Sequence, residues 1–172
     1  DDAVWHLSFM PKVAVYSTDG AGDTLQWMWE QRNDSYRGFL KSLDKIRPSH
    51  FLLNGGGNDI LGGRKMADGS QIGGLYFHLN QYSAGMGAED LIKPSVTLAL
   101  GFGSTKKVIL HGYSYPFPRN DIWLGKPMAR RGITSEALQR QICVKLMDRW
   151  HDRLASVAQG FSSTRRVTYV DV

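Results

Sequence analysis

The chain has 172 residues, 42% of them apolar and 22% charged, and a formal net charge of +5. That composition excludes a disordered or fibrous chain, and the length suits one domain with a sizeable core. No apolar run is as long as a membrane span, and the opening DDAVWHLSF lacks the basic and apolar regions of a signal peptide.

Taken in order, residues 1–10 read as the tail of a helix, with Val4, Leu7 and Ser8 on one face and Pro11 ending the run. KVAVYS, 12–17, reads as a short buried strand, followed by the turn TDGAGDT. Residues 24–46 read as helix, with a break near Asn33 and apolar faces at Leu25, Met28 and Trp29 and at Phe39, Leu40 and Leu43. HFLLN, 50–54, is a second buried strand that feeds NGGGND. Residues 62–88 are rich in glycine and have no clean period, so a long loop with short helical pieces is expected. A helix over 89–103, a strand over 106–115 and an aromatic, proline-rich loop over 113–126 come next. The clearest helix spans 135–160, with Ser135 as N-cap and Gly160 as stop. RRVTYVDV, 165–172, is the last strand.

Strands alternating with helices imply an α/β domain with a parallel sheet and helices on both faces. No internal repeat or linker divides it, so one domain over 1–172 is expected. In such sheets ligands sit beyond the carboxyl ends of the strands, where TDGAGDT and NGGGND both fall.

The basic residues come mostly as pairs, Lys106-Lys107, Arg130-Arg131 and Arg165-Arg166. A solvated surface is therefore expected, and no nucleic-acid partner. The one cysteine, Cys143, shares an apolar stripe with Leu146 and Met147 and reads as a core thiol. The five histidines are scattered without an H-x-x-x-H pair, so no metal site is expected. His111 ends a strand and reads as a satisfied structural residue. His151 and Asp152 read as solvated positions on the long helix.

The glycines of FLLNGGGNDILGG first suggest phosphate binding. From Gly57 the P-loop spacing reaches Gly62, but Gly63 stands where the lysine belongs. The dinucleotide fingerprint fails too, because Ile60 occupies its third glycine position. An oxyanion hole remains. Asn58 would offer uncharged side-chain donors, the glycines would let a substrate approach, and Asp59 would hold the turn through backbone N–H groups. A plain tight turn fits the same residues, and the chemistry of the stretch does not choose between the two.

LLNGGGNDILGG resembles the third block of the SGNH (GDSL-type) hydrolases, a G-x-N-D after a strand, and GAGDTL, 20–25, resembles their second block. VILHGYSYPFP and TYVDV are similar to the later strands of that family, so the resemblance covers residues 12–172. It implies a three-layer α/β/α, flavodoxin-like fold and a cofactor-free serine esterase or lipase acting on a small-molecule ester. It also implies that the backbone of Gly22 and the side chain of Asn58 are the catalytic oxyanion donors. Asp23, Gly57 and Tyr113 then border the substrate. Tyr113, Tyr115, Phe117 and Trp123 could line an acyl pocket, but packing on the sheet edge is the favoured expectation for them.

The family's G-D-S nucleophile block has no counterpart here; the only Asp-Ser pair, Asp34-Ser35, lies in a helical region. The D-x-x-H block belongs after the last strand, where the sequence reaches Val172. The expectation is thus the central part of a longer hydrolase, with serine and histidine outside these residues and the segment inactive alone. A non-catalytic domain of the same fold, binding carbohydrate or protein, is the alternative.

Overall fold

The computed structural model describes residues 3–15, 25, 34–53, 63–73 and 87–171. Their elements are α1 (Ala3–Ser8), α2 (Asp34–Ile46), β1 (His50–Leu53), β2 (Gly63–Lys65), β3 (Gln71–Gly73), α3 (Gly87–Gly101), β4 (Lys107–His111), α4 (Gly125–Ala129), α5 (Glu136–Gly160) and β5 (Val167–Val170).

Three parallel strands form the main sheet in the order β1-β4-β5. β4 (KVILH) and β5 (VTYV) carry β-branched side chains, which suit a pleated buried surface, and β1 (HFLL) adds Phe51 and two leucines. Side chains alternate across the pleat, so the register aligns two rows on one face. Phe51, Val108 and Val167 form one row, and Leu53, Leu110 and Tyr169 the next. Val108 and Leu110 are fully buried there, beneath Ile92, Val96 and Ala99 of α3 and Trp150, Leu154 and Val157 of α5. The two crossovers step across the sheet in the same direction, and connections of one hand then place both helices on one face.

Helix α2 joins the same side, where Leu43 packs with Leu98, Phe102 and the shared Phe51. The helices whose packing on the sheet is described thus all lie on one face. On the other, Leu52, Ile109 and His111 are half-buried and Thr168 and Val170 exposed. The α/β class and the parallel sheet agree with the sequence expectation.

The amino end of the sheet is tied by Arg166, whose guanidinium donates to the carbonyls of Leu100 and Thr105. A cation on the last carbonyls of a helix satisfies acceptors that have no partner within it. Helix α5 opens as the sequence indicates: the Ser135 hydroxyl accepts from Leu138 N–H at 3.4 Å, and Glu136 sits in the first turn. A second core cluster packs Leu124 and Met128 against Cys143 on α5. Burial, and then Asp121, push that thiol upward, so Cys143 is a core thiol as expected.

Two expectations need correction. KVAVYS does not form a strand in its described part, 12–15. A strand needs a partner row for its backbone groups; here Val13 N–H instead bonds back to Met10 O at 3.3 Å, and Lys12 has φ 66°. The region 62–88 contains an antiparallel hairpin, β2 with β3, where a loop with helical pieces was expected. Its turn is closed by Met66 N–H to Ser70 O at 2.8 Å, with Asp68 Oδ1 accepting from Ser70 N–H at 2.9 Å. Gly73 docks it, donating to Ile122 O at 2.6 Å so close to the Trp123 carbonyl that no Cβ would fit.

The burial pattern gives a differential prediction. Leu110→Ala removes a side chain enclosed by both helices and should cost about 2–5 kcal/mol in urea denaturation. Val170→Ala, at a position 41% exposed on the other face, should stay within about 1 kcal/mol of wild type.

Candidate functional site

The carboxyl ends of the parallel strands define one rim of the sheet. β1 and β4 are paired through Leu53↔Leu110, so the chain leaves these strands from neighbouring points. In the sequence, β1 runs into the NGGGND stretch, and β4 runs into the loop that begins at Gly112. Of the expected site residues, Gly22, Asp23, Gly57 and Asn58 lie outside the described residues, as does Asp59. Tyr113 is described. Its side chain is half-buried against the main core, and its carbonyl accepts a hydrogen bond from His151.

His151 was expected to be solvated on its helix. Instead it is 8% exposed. The ring leaves α5 over the sheet end, and Nε2 lies 2.9 Å from Tyr113 O. A carbonyl only accepts, so Nε2 carries the proton. Nδ1 faces Asp171 Oδ1 at 3.6 Å, and that carboxylate, 76% exposed, also accepts from the Tyr169 hydroxyl at 3.1 Å. The edge of the ring meets Tyr115, with centroids 5.6 Å apart and planes at 75°. Gly112 makes the approach possible: a Cβ there would stand 2.9 Å from the His151 ring and 3.3 Å from the Tyr169 hydroxyl. One helix residue thus holds the exit of β4 beside the end of β5. The signal for it was in the sequence. Gln139, Cys143 and Met147 step along α5 at intervals of four, all buried, and position 151 is the next step.

The loop beyond Tyr113 departs from the packing expected of its aromatics. Tyr115, Phe117 and Trp123 are 51%, 59% and 44% exposed. Two of them rest on α5. The Tyr115 hydroxyl donates to Asp148 Oδ1 at 2.6 Å, and the Arg140 guanidinium lies 5.3 Å from the Phe117 ring centroid. The bond to Asp148, with burial, raises the Tyr115 phenol above its usual value. His111, expected to be satisfied, has a buried Nδ1 with no partner among the described residues.

Among the described residues, no three His, Cys, Asp or Glu side chains stand close enough to hold a metal ion. No described helix is long and apolar enough to cross a membrane. A groove of about 310 Å³ lies at the opposite, amino end of the sheet, between Asp44 and Arg47 near the end of α2 and the Gly101–Ser104 turn. Comparison of the chain with protein-family models, curated proteins and solved structures finds no match.

The rim carries its own titration signature. Burial, and then the hydrogen bond to Asp171, push the Tyr169 phenol up to about 12. A raised phenol favours the neutral folded form, so its stabilising contribution is complete below pH about 10 and is lost as pH rises through about 12. Alkaline ultraviolet titration should show that Tyr169→Phe removes a phenol that ionises near 12. Loss of one that ionises near 10 would contradict the assignment.

Proposed function

We propose that this chain is part of an SGNH-type serine ester hydrolase with a three-layer, flavodoxin-like fold. The observation that carries the reading is the parallel order β1-β4-β5, with β1 running directly into the Asn58 block at its carboxyl end. The resemblance of GAGDTL and NGGGND to two blocks of that family, in that order along the chain, supports it.

In this reading the oxygen of the attacked acyl group becomes negative as a serine adds to its carbon. The backbone N–H of Gly22 and the side-chain amide of Asn58 hold that oxygen. An amide donor suits the task because it stabilises the anion without bringing a charge that would also bind the ground state. Gly57 keeps the approach to Asn58 clear, and Asp23 and Tyr113 border the substrate. The reading also requires a serine nucleophile and a histidine that takes its proton, neither of which the resemblance assigns to a residue of this sequence. The chemistry needs no cofactor.

The test uses the full-length gene product and a short p-nitrophenyl ester. Wild type should turn over, and Asn58→Ala should lower kcat by about 10²–10³ with KM little changed and the circular dichroism intact. Full activity in Asn58→Ala would remove Asn58 from the mechanism. No turnover in the wild type would overturn the hydrolase reading in favour of a non-catalytic domain of the same fold.

A further inference from the structure

We infer that His151 is a positioning residue for the carboxyl rim: its Nε2–H clasps the backbone of the turn after β4 and so sets where that turn stands beside the exit of β1. This deepens the proposed function only in its activity arm; the clasp itself rests on geometry.

Helix α5 touches the rim at the point where its buried stripe comes level with the strand ends, and the residue there is a histidine, 8% exposed, in place of another apolar side chain. An apolar residue would fill the space but remove this donor from Tyr113 O. The ring occupies the space that a side chain on Gly112 would need, so residues 112 and 151 are matched to each other. Gly112 N–H also bonds to Val170 O at 3.4 Å, which draws the turn toward β5. The Asp171 contact is secondary. At 3.6 Å, with the carboxylate largely exposed, it adds little beside the 2.9 Å bond to Tyr113.

β4 is the neighbour of β1, so a shift of residues 112–115 moves the turn that stands beside Leu53, the last residue of β1. In a site that depends on fixed donors, a displacement of that kind lowers turnover without unfolding the sheet.

The experiment compares His151→Gln with His151→Met in the full-length gene product. Glutamine places an amide N–H near the position of Nε2; methionine fills similar volume with no donor. Amide hydrogen exchange at residues 113–115 should accelerate about tenfold or more in the methionine variant. It should stay within about threefold of wild type in the glutamine variant, with Val108–Leu110 unchanged in both. Equal behaviour of the two variants, in either direction, overturns the clasp. A wild-type readout stands should the methionine variant not fold. In the neutral ring the ¹⁵N imidazole spectrum should show the proton on Nε2, and an Nδ1–H tautomer overturns the proposal. If wild type hydrolyses esters, kcat should fall for methionine and recover with glutamine. If it does not, the hydrolase reading fails while the exchange data still decide the clasp.

Discussion

The fold hangs on the burial of β4. It is paired on both edges, and its inward side chains, Val108 and Leu110, are closed off from water by α3 and α5. A strand in that position cannot slip by one residue without turning Ile109 and His111 into the core and Val108 and Leu110 out of it. The register of β1 and β5 is fixed by the same rows of side chains. The places where the chain leaves the sheet are therefore fixed too.

The two ends of the sheet are secured differently. At the amino end, Arg166 caps the last turn of α3 and the start of β4 through backbone carbonyls. At the carboxyl end a neutral-capable ring, His151, does the tying, together with a cluster of phenols and carboxylates. Guanidinium is always charged and suits a joint that only has to hold. The carboxyl end, where ligands of parallel sheets sit, carries the exposed aromatics Tyr115 and Phe117.

Much of this was legible in the sequence. The periodicity of 135–160 and its Ser135 cap gave α5 almost to the residue, and the apolar runs at 50–54 and 165–172 gave β1 and β5. Other features were set by contacts that a single sequence does not display. KVAVYS has strand composition, yet its described residues have no ladder, since pairing is decided by a neighbour and not by propensity. The hairpin of β2 and β3 has strands of three residues each, too short for alternation to register, and it is held by a turn and by the docking of Gly73. For the proposed site, the sequence supplied the Gly22 and Asn58 blocks through resemblance, while the structure supplied His151. Its helical stripe was readable, but a histidine among apolar positions gives no sign of which backbone group it will reach.

The central claim is that the carboxyl rim is the site of chemistry. The most direct measurement is amide hydrogen exchange of the full-length gene product with and without an alkyl phosphonate that mimics the tetrahedral intermediate of ester hydrolysis. Chemistry at the carboxyl rim predicts protection at residues 20–24, 54–59 and 112–115. Protection at the amino-end groove around Gly101–Ser104, or none at either end, would contradict it.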